Sequence, residues 1–370
     1  MSGFFVVGEK KERPGVYKRY ENAGGVEAAG ARSGVGCALV TGNWGELNTP
    51  DTIDQSTDIS SVIGAGSGHD AITAFMAGGM EECVVVRVGT GGTPATITLK
   101  DTTASTAVDA VVLTALYPGN RAFTITVKAS LDDETAKEAT IYEGTKALEK
   151  VTFAAGKTEV DGIVAAFANS KYVKATKKAP GNGTLADITQ KAFTAGTNPT
   201  ATAAAYGEAA NASEAEVRDM IIVDTNDAAV HTLIATHVAR VFQEGAYTMA
   251  TVAEPSSVAI ETRMQHAAAF NDEKIHYVLN PYIGTDGVEY EGYMLAARIG
   301  GLICAGAANA SLTHTVISGA AGLKETLNSG TIKKALKSGC LVLSTSKSKQ
   351  VWIEKAINTL VTLSKDQDAG

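Results

Sequence analysis

At 370 residues, with 45% hydrophobic and 19% charged side chains, the chain can bury a large core and divides into two or three domains. A net charge of -8, with lysines and arginines unclustered, excludes a protein that grips nucleic acid through its phosphates, which needs a basic surface. The apolar run Phe4 to Val7 is too short for a signal-peptide core or a membrane span, so the sequence predicts a cytoplasmic protein with no membrane insertion.

The stretch ERPGVYKRYENAG, residues 12–24, mixes both charge signs with a proline and two tyrosines and has neither a helical nor a strand period. From Gly34 to Val88 two apolar runs, CALVTG and CVVVRVG, flank a helical stretch around His69 to Met80, which reads as a βαβ-like unit. From about Gly91 the pattern becomes Thr-rich alternation (TPATITLKD, AVVLTALYPGNRAFTITVKAS, EATIYEG) with Gly, Asn and Asp at the breaks, predicting an antiparallel sandwich or barrel. The small-residue tract APGNGT to TAGTNPTATAAAY leads out of it.

Past Tyr206 strands and helices alternate. MIIVDTN (Met220 to Asn226) is a strand, Asp227 caps the following helix, and Val230, Leu233, Ile234, Val238, Val241 and Phe242 recur at helical spacing. The strand YTMATVAE, a helix from about Ser257 to Phe270, the strand KIHYVLNPY and the helix GYMLAARIGGLICAGAA follow. Such alternation predicts a mainly parallel sheet with helices on both faces. GCLVLSTS and QVWIEKAI are predicted to complete or edge that sheet, and the glycines of AARIGGLICAGAANA to mark close helix packing.

Candidate chemistry is sparse. Cys37, Cys83, Cys304 and Cys340 each sit in an apolar run, the setting of a buried free thiol, and no CxxC pair or nearby histidine offers a metal site. His237 falls on the apolar face of its helix, as a satisfied core histidine does. No GxSxG nucleophile turn occurs. GAGSGHDA precedes a helix but lacks the phosphate-loop and dinucleotide patterns, so no nucleotide or other cofactor is expected. One enzymatic alternative stays open: an α/β hydrolase-like or nucleotide-using enzyme with an inserted β domain. It rests on the parallel sheet and GSGHDAI, and requires His69, beside Asp70, to meet a distant Ser or Asp in a cleft.

Four segments in order, KERPGVYKRYENAG, LYPGNRAFTITVKA, MIIVDT with VHTLIATHV, and SGCLVLSTSKSKQVWIEKAINTLVTL, resemble the contractile tail sheath proteins of tailed bacteriophages and phage-tail-like bacteriocins. The resemblance implies a structural, non-enzymatic subunit. It would polymerise with itself as hexameric rings in a helical sheath around a tail tube protein, together with baseplate and tail terminator proteins. Such a sheath assembles in the bacterial host cytoplasm, becomes part of a virion tail or phage-tail-like particle, and contracts to drive the tube through an envelope. The implied fold is an α/β core, subtilisin-like in shape, with a β-rich domain inserted early. On this basis residues 1–22 are expected to form an arm, 23–90 and 201–370 the two parts of the core, and 91–200 the insert. The arm is expected to contact a neighbouring subunit through Pro14, Gly15, Val16 and Tyr17. Sheath chains usually continue past INTLVT, whereas this sequence stops at SKDQDAG, which predicts a truncated, processed or short variant lacking the carboxy-terminal arm.

Overall fold

The computed structural model describes residues 34–306, 310–346 and 350–362, with the backbone of two short strands, Ser2–Phe4 (β1) and Val16–Lys18 (β2), paired in parallel. These residues divide into two compact units. One holds the described parts of 1–41, 47–89 and 201–370; the other holds 42–46 and 90–200.

The first unit opens with Gly36–Val40 (β3), Pro50–Asp54 (β4), the helices Ile59–Val62 (α1) and Ser67–Met76 (α2), and Glu82–Arg87 (β5). β3 and Cys83–Val86 of β5 are continuous apolar runs because both faces are covered. Cys37 and Leu39 of β3 enter one core layer, while the alternating Ala38 and Val40 enter the opposite one.

The second unit follows as an insertion. Its strands are Pro94–Asp101 (β6), Val108–Pro118 (β7), Phe123–Ala129 (β8), Ala136–Glu143 (β9) and Lys146–Ala154 (β10). Helix Glu159–Ala166 (α3) and the strands Val173–Lys177 (β11) and Ile188–Ala192 (β12) complete it. Two antiparallel sheets, ordered β10-β9-β8-β12 and β11-β7-β6, enclose a core that includes Leu113, Ile125 and Ile141. The period-two pattern reads directly onto β6, whose Ala95, Ile97 and Leu99 are buried while Thr96 and Thr98 are half-buried. Where the insert begins and ends its two chain segments bridge one another, Thr90 with Thr200 and Thr93 with Thr197.

Residues 42–46 belong to this β-rich unit although the sequence groups them with the α/β core. The reason is Trp44, which is 3% exposed and packs edge-on against Tyr117 and Phe123 at 4.9 and 5.3 Å. The Arg121 guanidinium lies 5.0 Å over the Trp44 ring and grips Glu143 in a fork at 3.0 and 2.8 Å. Stacking on a ring and a bidentate pair let the Arg121 guanidinium stay buried while Glu143 reaches the surface.

The chain then returns to the first unit. Ala203–Ala212 (α4), Met220–Val223 (β13), Ala228–Gln243 (α5), Met249–Ala253 (β14), Ile260–Phe270 (α6) and Ile275–Val278 (β15) alternate as expected. Next come Tyr282–Gly284 (β16), Glu289–Tyr290 (β17), Tyr293–Ala305 (α7), Ala320–Leu323 (β18) and Ser329–Lys337 (α8). Cys340–Leu341 (β19), Leu343–Thr345 (β20) and Val351–Ile353 (β21) close the described fold.

The central sheet runs β19-β15-β14-β13-β3-β5-β4, all parallel except the edge strand β4. Residues of α4, α5, α6 and α8 fill the layer on one face, and α2 and α7 fill the other. Of the two late runs expected to join this sheet, only the two residues of β19 do; β20 and β21 pair with each other instead. The glycines of α7 let it approach α2. A Cβ on Gly301 would stand 2.1 Å from the Phe75 carbonyl oxygen, and one on Gly78 would stand 2.4 Å from the Gly301 carbonyl carbon.

Candidate functional site

In open α/β sheets a ligand crevice forms beyond the carboxyl ends of strands where the strand order reverses. In this chain β3 is followed outward by β5 on one side and is flanked by β13 on the other, so that position lies past the ends of β3 and β13. Asp224 sits there, 5% exposed, as the residue after β13.

Its carboxylate is saturated. Oδ2 accepts the Thr41 amide at 2.9 Å, the Thr41 hydroxyl at 2.5 Å and the Ser67 hydroxyl at 2.7 Å. Oδ1 accepts the Tyr206 phenol at 2.6 Å. Burial and the Asp224 charge push the Tyr206 pKa up, so the phenol stays a donor. Ser67 is the first residue of α2, so the carboxylate lies beside that helix end. Gly68, in the first turn of α2, serves that approach: a Cβ there would stand 1.9 Å from the Thr41 carbonyl oxygen. The cradle is filled by the protein's own side chains.

The next strand repeats the arrangement. Glu254, directly after β14 and 5% exposed, accepts the Tyr277 phenol at 2.5 Å and contacts His266 Nδ1 at 2.8 Å. Asp227 caps α5 as expected, accepting the Ala229 amide at 2.9 Å.

The hydrolase-like alternative finds no geometry. The Ser67 hydroxyl is committed to Asp224, and the partners of Asp224 among the described residues are three hydroxyls and an amide, with no imidazole. Among the described residues the His69 ring reaches only its neighbour Asp70, at 3.7 Å, with 34% of its side chain exposed. All four cysteines are buried thiols outside any disulfide among the described residues. Burial raises the Cys37 and Cys83 thiols and pushes Cys340 up to about 12, which leaves them protonated rather than nucleophilic. Among the described residues no three His, Cys, Asp or Glu side chains converge as a metal site, and no helix is long and apolar enough to cross a membrane.

His237 is buried as expected but not fully satisfied. Its Nδ1 lies 3.3 Å from Arg240, while Nε2 has no hydrogen-bond partner among the described residues. Burial, with Arg218 and Arg240 nearby, lowers its pKa from 6.5 to about 4. Burial likewise lowers His231 and His276. These rings are neutral in the folded protein, whereas the unfolded chain takes up protons as the pH falls through 6.5. Stability present above pH 6.5 is therefore lost progressively toward about pH 4. His237→Gln should flatten this loss by up to about one proton between roughly pH 7 and pH 5, read from urea midpoints. An unchanged slope would contradict the assignment.

Of the residues expected to contact a neighbour, Pro14 and Gly15 lie outside the described residues, and Val16 and Tyr17 fall in β2, opposite Ser2 and Gly3. Sequence reading missed the Asp224 cluster; its one signal is an acid placed directly after the apolar run MIIV.

Two family models match the chain. That of the phage tail sheath protein central domain matches residues 199–359, and that of the phage tail sheath protein beta-sandwich domain matches residues 90–198. Among solved structures, a sheath tail protein from Desulfitobacterium hafniense superposes with a TM-score of 0.73 at 20% identity, over 95% of this chain and 77% of that one. A sheath tail protein from Listeria innocua gives 0.69 at 24% identity, over 91% and 71%. No curated protein matches the sequence.

Proposed function

We propose, from the premise that the chain belongs to the phage tail sheath protein family, that its copies polymerise as stacked hexameric rings in a helical sheath around a tail tube. The family is one of structural proteins, and the chain is a structural sheath subunit rather than an enzyme. The carrying observation is that the two family domains follow one another without a gap from residue 90 to residue 359. The saturated Asp224 cluster agrees, because the place where an α/β enzyme of this topology would hold its ligand is closed by internal hydrogen bonds.

In this reading the sheath assembles on a baseplate in the host cytoplasm, ends at a terminator protein, and shortens to drive the tube through an envelope. An extended lattice trapped behind a barrier needs no nucleotide, since release alone lets it relax. The particle is a phage tail or a phage-tail-like bacteriocin. The α/β unit is taken as the subtilisin-like core, and residues 1–22 as an arm whose Pro14, Gly15, Val16 and Tyr17 pack on a neighbouring subunit.

Electron microscopy of the parent particle, with the chain tagged or antibody-labelled, tests the reading: label along the tail sleeve supports it, and label confined to capsids overturns it. Deleting residues 1–22 should leave the melting temperature of the subunit nearly unchanged while abolishing sleeves. Normal sleeves from the deleted chain would exclude the arm.

A further inference from the structure

The two edges of the central sheet carry opposite, unpaired charge. Between residues 47 and 89 there are six carboxylates and a single basic residue, Arg87. Arg87 is 2% exposed, and burial lowers its pKa to about 10. Asp51 lies on the edge strand β4, and Glu82 opens its neighbour β5 directly after Glu81; all three acids are exposed. At the opposite edge α8 leads straight into β19, and its Lys333, Lys334 and Lys337 are exposed. Among the described residues none of these six side chains makes an ion pair. Neighbouring charges are already committed: Lys324 to Glu289 and Glu291, and Glu325 to Arg263. An ordinary soluble surface intersperses both signs; these six side chains at the two edges are separated by sign.

Six inter-strand steps place the two edges about 29 Å apart, well beyond the screening length of about 8 Å at physiological salt. Within one copy they therefore do not neutralise each other. Between copies they select an orientation. Two β4 edges repel, as do two α8 faces, and charge on an open edge suppresses indiscriminate strand pairing. An acidic edge against a basic one is attractive and desolvates no unmatched charge. A contact between different patches of identical subunits is heterologous, and it propagates as a ring or a helix rather than closing as a two-fold dimer.

We infer that the β4 edge of one subunit docks on the α8 face of a second copy of this chain, Asp51, Glu81 and Glu82 against Lys333, Lys334 and Lys337, so that the core unit itself sets the direction of assembly. This inference rests on the sheath reading and adds a core-to-core contact to it.

The test is reciprocal charge reversal. One variant carries Asp51→Lys with Glu82→Lys, the other Lys333→Glu with Lys334→Glu and Lys337→Glu. Each is checked for unchanged melting and then for assembly by sedimentation and electron microscopy at about 150 mM salt. Each alone should assemble about tenfold less than the unaltered chain, because like charges then face each other across every contact. An equimolar mixture of the two should regain assembly, since every junction again pairs opposite signs, and so should the chain carrying all five changes. Unaltered chains that form sleeves while the single-edge variants form them equally well overturn the docking proposal and leave the sheath reading standing. A mixture that fails to recover also overturns it. Unaltered chains that never form sleeves overturn both.

Discussion

Gly301→Ala should destabilise the protein by about 3 kcal/mol, and Gly301→Val by more, as overpacking against an immovable neighbour does. The added Cβ of either variant would sit 2.1 Å from the Phe75 carbonyl oxygen and 3.0 Å from the Gly78 Cα, so backbone faces backbone and no side chain can turn away. Relief requires α7 to lift from α2, opening a layer that includes Phe75, Ala297 and Cys304. Gly300→Ala is the graded comparison, since its Cβ would meet Thr251 Oγ1 at 3.0 Å, a side chain that can shift. Gly322→Ala, with open space around the added methyl, should be near neutral. Urea unfolding followed by near-ultraviolet circular dichroism measures all of them. A Gly301→Ala protein as stable as the unaltered chain would mean that the two helices are not held at this distance.

Asp224→Ala should cost about 4 kcal/mol, because it strips one acceptor from four donors at once. The Thr41 amide and the hydroxyls of Thr41, Ser67 and Tyr206 come from three separate elements, so the carboxylate joins the end of β3, the start of α2 and α4 around the end of β13. Hydrogen bonds to an ionised group contribute more than neutral ones, and donors left unsatisfied in a buried site carry a desolvation cost of their own. Asp224→Asn keeps one carbonyl acceptor but brings two donors of its own into a site already full of donors, so it should recover less than half of the loss. Tyr206→Phe removes a single bond and should cost about 1 kcal/mol. Equal losses for Asp224→Ala and Tyr206→Phe would rule out a shared hub.

Much of the architecture is legible because it rests on local periodicity. MIIV and the CVVV stretch of β5 are apolar on every residue, as strands covered on both faces must be, and PATITLKD alternates, as a strand at the skin of a sandwich must. The helix after Asp227 announces both its cap and its buried stripe. What escaped reading depends on partners distant in sequence. Nothing local says that Trp44 leaves the α/β core for the β-rich unit, because its ring is fixed by Tyr117, Phe123 and Arg121 some seventy residues later. Nothing local says that Asp224 gathers Thr41 and Ser67, which precede it by 183 and 157 positions. QVWIEKAI read as a strand of the central sheet because hydrophobic alternation gives a strand its faces but not its neighbours; its Val351–Ile353 pairs with Leu343–Thr345.

The bridged threonines at the root of the insert give it a different kind of significance. Thr90 lies beside Thr200 and Thr93 beside Thr197, so the polypeptide departs and comes back through one narrow gate. A tight turn across that gate would rejoin the flanking backbone without stretching it, and any other fold whose ends lie side by side would fit the same opening. Residues 90–200 could thus be exchanged at that gate without stretching the flanking chain, and a further adjustment is at Trp44, whose partners Tyr117 and Phe123 would leave with the insert.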